Sequence, residues 1–169
     1  MPSDLDETLT PGPLTESVPR LALEKAQAVA ARVREGIILA ADTVVTIDGE
    51  ALGKPVDTAE ASDMLRRLRG RTHEVITGVA VVDAGSGRAE RTVVTSRVRM
   101  APYDDRAIDA YVATGEPLDK AGAYAIQGAG GALVAGWEGS YTNVVGLPLA
   151  ETARLLAVFG VAVSAPPAC

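Results

Sequence analysis

Cysteine, histidine and aromatic side chains are almost missing from this chain, and each shortage removes a class of function. The single cysteine, Cys169, is the final residue and has no partner for an internal disulfide. With the single histidine, His73, it leaves too few ligands for a Cys/His zinc site. Aromatics make up 4% of the residues, so the core must be built from small aliphatic side chains, mostly Ala, Val and Leu. Positive charge is short too. Sixteen Lys and Arg against 22 Asp and Glu give a net charge of −6, which repels polynucleotide backbones and anionic lipid. The longest apolar stretch, around 155–163, is about half of the ~20 residues that a membrane-spanning helix needs. The opening Met1-Pro-Ser-Asp-Leu-Asp-Glu7 is acidic and lacks the apolar segment of a signal peptide. A soluble, cytoplasmic protein with neither a nucleic-acid polymer nor a membrane as partner is expected.

What is present is 169 residues, 47% of them apolar, enough for one domain over 1–169 with a substantial core. Residues 1–13 read as a loop. Val18, Leu21, Ala22, Val29 and Val33 then recur at helical spacing, with Pro19 suited to the first turn and Gly36 ending the helix. The continuous apolar run Ile37–Ala41 reads as a buried strand. It continues through Val44–Ile47 to a hairpin turn at Asp48-Gly49. Thr58 caps a helix with Ala61, Met64, Leu65 and Leu68 on its buried stripe, closed by Gly70. Two long strands follow, Glu74–Val82 central and Arg91–Met100 wet on one face. A short helix spans Asp105–Thr114 and stops at Gly115-Glu116-Pro117. The glycine-dense segment 118–148 reads as strand–loop–strand, Leu149 to Leu156 as a last helix, and 160–169 as a tail that can add an edge strand. Strands alternate with helices and hairpins, so the expected fold is α/β with a mixed central sheet and flanking helices.

Several polar residues stand where apolar ones belong. Lys25 lies on the apolar helix face, seven residues after Val18. Either its stem packs while the ammonium snorkels to the rim, or the ammonium points into a polar pocket that holds an anion. Asp42 follows five apolar residues and needs a cation, a metal or a set of N–H donors. A structural carboxylate bonded to a nearby turn is the plainer alternative. Lys54, between Gly53 and Pro55, lies twelve residues after Asp42 with the Asp48-Gly49 turn midway, so a hairpin brings the two to the same end. Gln127-Gly128, followed by Gly130-Gly131, offers an amide side chain and exposed N–H groups able to hold a base edge or a phosphate. His73 has no inferable nucleophile partner and reads as structural. No P-loop, nucleophile elbow, H-E-x-x-H or EF-hand pattern occurs.

Several segments together resemble the Maf family of nucleotide pyrophosphatases, also known as septum-formation inhibitors. They are Arg20-Leu-Ala-Leu-Glu-Lys25-Ala, Ala41-Asp42-Thr43-Val-Val, Leu52-Gly-Lys54-Pro55, Gly70-Arg-Thr-His-Glu-Val-Ile-Thr-Gly78, Tyr111 through Lys120 to Gln127-Gly128, and Gly139-Ser-Tyr-Thr-Asn-Val-Val-Gly-Leu-Pro148. The resemblance implies an elongated α/β fold shared with the inosine-triphosphate pyrophosphatases. It implies cleavage of a nucleoside triphosphate to monophosphate and pyrophosphate with a divalent metal, Mg²⁺ or Mn²⁺, by a homodimer. On it, Asp42 matches the proton acceptor, and Thr43 and Gln127 match positions tied to base selection. Lys25, Lys54 and Lys120 match phosphate-facing cations, with Lys25 pointing into the cleft. Glu7 matches an acidic residue of an Asp-Glu pair and, with Asp42, a metal ligand. The Ala-Asp-Thr and Ala-Tyr-Ala-Ile-Gln-Gly forms resemble the branch acting on dTTP and UTP, and modified pyrimidine nucleotides are further candidates. The sister branch, which prefers 7-methyl-GTP, reads differently at both places.

The family's opening strand and Ser-x-Ser-Pro-Arg-Arg loop have no counterpart in this sequence, so the resemblance is to an N-terminally shortened member. Weaker triphosphate binding is then expected, at roughly 1.5–3 kcal/mol per lost charge-assisted contact, along with an unpaired strand edge beside the core. A non-catalytic nucleotide-binding or cell-division regulatory protein on the same fold is the alternative reading.

Overall fold

The computed structural model describes residues 12–164. Its elements run α1 (Leu14–Ala30), β1 (Ile37–Ile47), β2 (Glu50–Leu52), α2 (Thr58–Leu68), β3 (Thr72–Asp83), β4 (Ala89–Met100), α3 (Asp105–Val112), β5 (Val134–Glu138), α4 (Tyr141–Val145) and α5 (Leu149–Val158). The strands form one sheet in the order β2-β1-β3-β4-β5. This is the α/β fold with a central sheet and flanking helices that the sequence led us to expect. The strand directions differ from expectation. β2 pairs antiparallel with β1, and β5 with β4. β3 and β4 form a hairpin, and Ala84 N–H, just past β3, donates to Gly36 O, just before β1. Each neighbouring pair is therefore antiparallel, while β2 and β3, on either side of β1, run the same way and are joined by the crossover that carries α2. No helix among the described residues is long and apolar enough to cross a membrane.

The chain divides into two compact units, and the divide falls inside β1, β3 and β4. The first holds residues up to Asp42, Thr77–Val94 and the chain from Leu147. Its α1 starts earlier than expected. The Pro13 carbonyl accepts from the Glu16 and Ser17 amides and from Ser17 Oγ, which closes a first turn ahead of Pro19. Pro19 is therefore interior, and the carbonyl it cannot bond is that of exposed Thr15, where water can substitute. The helix stops at Ala30, so Val33 is exposed rather than part of the buried stripe. Ala22 and Ala26 pack on Ala80 and Val82 of β3, with Ile38 and Ala40 of β1 beside them. Ile37 and Leu39, on the other face of β1, are 37% and 40% exposed, so that run alternates instead of being buried on both faces. β2 meets β1 only at Val45–Leu52, Thr46–Ala51 and Ile47–Glu50. No described strand continues that side of β1 toward Ile37. Residues 161–164 form no strand.

The second unit holds Thr43–Ile76 and Thr95–Gly146. Its core joins Leu65 and Leu68 of α2, Val75 and Val98 of the sheet, and Ile108 and Tyr111 of α3. α2 is capped by Asp57, not Thr58: the Asp57 carboxylate accepts from Glu60 N–H at 2.8 Å while Glu60 reaches back to Val56 N–H at 2.7 Å. The glycine-dense segment differs most from expectation. Three 3₁₀ turns, Glu116–Asp119, Ala121–Ala123 and Gly128–Leu133, stand in place of the first strand, and β5 is the one strand of the segment. Positive φ at Gly122 and Gly128 permits those turns.

Candidate active site

In the first unit the inward face of β1 runs Ile38, Ala40, Asp42, because side chains alternate along a strand. Ile38 and Ala40 pack with α1, so the next position on that face also meets the helix. There Lys25 Nζ donates to Asp42 Oδ1 at 2.7 Å, with the two side chains only 15% and 16% exposed. Lys25 does not snorkel to the rim. It places its ammonium against the one carboxylate that the sequence singled out. A charge pair this sheltered from water interacts more strongly than a surface pair.

The second unit carries the other candidates. Thr43 Oγ1 donates to the Gly146 carbonyl at 3.3 Å, where α4 ends in a left-handed turn. Lys54 leaves β2 in the exposed Gly53–Lys54 bend, and Gly53 O accepts from Gly122 N–H at 3.0 Å. That bond ties the Lys54 bend to the turn that carries Lys120. Lys120 Nζ donates to Asp119 at 2.8 Å. This bond holds the Asp119 carboxyl below its ordinary range, and the charges of Lys120 and Lys54 act in the same direction. Two ammonium groups therefore act on one exposed carboxylate, a local cationic patch on an acidic chain. Glu7 lies outside the described residues.

Gln127 is exposed and precedes the last 3₁₀ turn without a capping hydrogen bond. Two of the N–H groups after it, those of Ala129 and Gly130, are not open, contrary to what the glycine pattern implied. Glu116 Oε1 accepts from Gly130 N–H at 3.3 Å and Oε2 from Ala129 N–H at 3.4 Å. The Tyr111 hydroxyl donates to the same Oε1 at 2.9 Å and accepts from Ala125 N–H at 3.1 Å. Burial, with a further push from Glu116, raises the Tyr111 pKa, so the hydroxyl stays a donor. Sequence reasoning read Glu116 only as part of a helix stop. The one available signal was an acidic residue wedged between Gly115 and Pro117, upstream of a glycine loop that needs an anion.

His73 is structural, as its isolation suggested. It is buried, with Nε2 2.8 Å from the Tyr124 hydroxyl, and burial lowers its pKa to about 4. A pocket of about 240 Å³ is lined by Thr46, Asp48, Thr72, His73, Glu74 and Arg97 among others, and includes none of Lys25, Asp42, Thr43, Lys54, Lys120 and Gln127.

Comparison with known proteins matches the chain to one family. The profile of the Maf-like protein family covers residues 1–159. The chain is 51% identical over 162 residues to a dTTP/UTP pyrophosphatase of Pelotomaculum thermopropionicum, covering 95% of this chain and 84% of that protein. It is 53% identical over 161 residues to the protein of the same name from Moorella thermoacetica, covering 95% and 83%. A third, from an Anaeromyxobacter species, is 56% identical over 160 residues, covering 92% and 76%. By its own motifs and by these matches, the chain belongs to the Maf-like protein family.

Proposed function

We propose that the chain hydrolyses dTTP and UTP, and modified pyrimidine nucleotides of the same shape, to the monophosphate and pyrophosphate. The observation that carries this reading is the sheltered pair of Lys25 on α1 and Asp42 on β1, in a chain whose relatives are named dTTP/UTP pyrophosphatases. Asp42 accepts the proton of a water that attacks the α-phosphorus. A P–O bond forms there as the bond to the bridging oxygen breaks, and that oxygen leaves on pyrophosphate. Lys25, Lys54 and Lys120 offset the charge that builds on the departing group. Thr43 and Gln127 select the base.

A divalent cation fits this donor set only as a shared ligand. Among the described residues no three His, Cys, Asp or Glu side chains gather. One carboxylate suits Mg²⁺ or Mn²⁺, which take water and substrate phosphate oxygens for their other ligands, and does not suit a metal caged by protein. Asp42 would hold the ion, with Glu7, and the ion would neutralise phosphate charge. The same reading makes the protein a cytoplasmic homodimer, which light scattering of the purified chain tests. Nucleoside triphosphates supplied one at a time with Mg²⁺ and scored for pyrophosphate against orthophosphate test the activity. Release of orthophosphate alone, or of nothing, overturns it. Nucleotide binding without turnover would favour the regulatory alternative.

A further inference from the structure

Glu116 does more than end a helix. Its carboxylate sits in the concavity made by two successive N–H groups, Ala129 and Gly130, at the start of the turn that follows Gln127. Consecutive amides of this kind form an anion site. Here the chain's own carboxylate fills it. The fit is close on every side. A Cβ on Gly128, whose φ is +70°, would stand 3.0 Å from Glu116 Oε2. One on Gly130 would stand 2.5 Å from the Tyr111 hydroxyl and 2.4 Å from the Ala125 carbonyl. Tyr111 is 5% exposed and anchored in the core on α3, so the clasp joins a rigid helix to both sides of residue 127, through Ala125 before it and Ala129 and Gly130 after it.

Two consequences follow for recognition. The Ala129 and Gly130 amides are taken by Glu116 and are not free for a phosphate. Gln127 is left as the exposed polar side chain of the loop, at fixed backbone angles (φ −94°, ψ 162°), and its amide can pair with the donor–acceptor edge of a base. We propose that Glu116, braced by Tyr111, is a positioning residue that sets Gln127 for recognition of the pyrimidine base. This rests on the reading that Gln127 selects the base. The Glu116 clasp touches no substrate. It fixes the group that does, and so governs which base is accepted rather than the rate of phosphorus chemistry.

The test compares wild type, Glu116→Ala, Gln127→Ala and the double variant in steady-state hydrolysis of UTP and CTP. Each single change is expected to raise KM for UTP about tenfold, to leave kcat within about twofold, and to bring the UTP-over-CTP preference down to a common low value. The double variant should be no worse than Gln127→Ala alone, because the two residues act in series. Glu116→Gln should restore most of the preference, since one amide oxygen can still take the Tyr111 and Gly130 donors that share Oε1. Equal losses on UTP and CTP, a fall confined to kcat, or additive effects in the double variant would overturn the proposal. If Glu116→Ala fails to fold, Tyr111→Phe replaces it with the same expectations. A wild type inert toward both UTP and dTTP would sink the proposed function by itself. Calorimetric binding of UTP and CTP to the same proteins then decides the clasp, and an unchanged UTP affinity in Glu116→Ala refutes it.

Discussion

Gly78 on β3 lies so close to Pro19 on α1 that a Cβ on residue 78 would stand 2.4 Å from Pro19 Cα and 2.5 Å from its nitrogen. Both are backbone atoms, so no rotamer change relieves the contact. Gly78→Ala must push the helix off the strand or bend one of them. A loss of roughly 3 kcal/mol or more is expected, at or beyond the upper end of ordinary overpacking. The same helix carries Lys25, so kcat/KM should fall with stability. Urea unfolding at constant m, with turnover measured well below the midpoint, separates the two effects. A midpoint like that of wild type would mean that α1 does not rest on β3 at this point.

Replacing Asp42 with Asn removes the proton acceptor and the carboxylate charge that the sheltered Lys25 ammonium meets at 2.7 Å. Pyrophosphate release is expected to drop about 10²–10⁴-fold, the usual range for a lost general base. Stability should fall by about 1–3 kcal/mol, because a sheltered ammonium has lost the carboxylate charge beside it. Lys25→Met tests the other half. It removes a phosphate-facing charge, so it should raise KM for UTP more than Asp42→Asn does. Full turnover in Asp42→Asn would remove Asp42 from the mechanism.

The buried imidazole makes stability depend on pH. His73 holds a proton only below about pH 4 in the folded chain, against an ordinary value of 6.5. Between these values the unfolded chain binds a proton that the folded chain refuses, so stability falls as pH drops from 6.5 to 4 and levels off below. The full difference is about 3 kcal/mol. Among the described residues the buried His73 Nδ1 atom has no hydrogen-bond partner, so none of them offsets the cost of protonation there. Urea midpoints taken from pH 7 to pH 4 should decline in wild type and decline less in His73→Gln, whose amide can still meet the Tyr124 hydroxyl. Parallel declines would assign the effect to carboxylates.

Periodicity and local contrast explain which parts of this molecule were legible in its sequence. Asp42 stood out because a charge after five apolar residues breaks a strand pattern, and Lys25 because it breaks a helical stripe. The two faults proved to be one contact. The strand directions were not legible, since hydrophobic alternation is the same for either direction and only hydrogen bonds such as Ala84 to Gly36 fix it. The segment 118–148 misled for another reason. Runs such as Ala123–Ile126 look like strands, yet this one lies outside the sheet, between 3₁₀ turns that glycines at positive φ make possible, with Ala123 and Tyr124 in the core. Glu116 showed only through its place between Gly115 and Pro117, because its role depends on backbone amides, which every sequence has and no sequence displays.

Asn143 shows the same limit and gives a last measurable consequence. It is fully buried, and its Nδ2 donates to the Val75 carbonyl at 3.0 Å and to Ser96 Oγ at 2.9 Å. Ser96 Oγ in turn accepts from Ser140 N–H and donates to the Ser140 carbonyl, both at 3.0 Å, while Ser140 Oγ caps α4 through Asn143 N–H. One side chain therefore joins β3, β4 and α4, and α4 ends at the Gly146 carbonyl that Thr43 contacts. Asn143→Ala removes two donors and strands a buried carbonyl, at a cost of about 2–4 kcal/mol. Asn143→Asp should cost more, because a carboxylate cannot donate to Val75 and would be charged in a dry site. If α4 is fixed mainly by this node, the amides of 141–146 should exchange faster in Asn143→Ala than those of α2. Uniform acceleration across both helices would mean that the node supports the whole unit rather than α4.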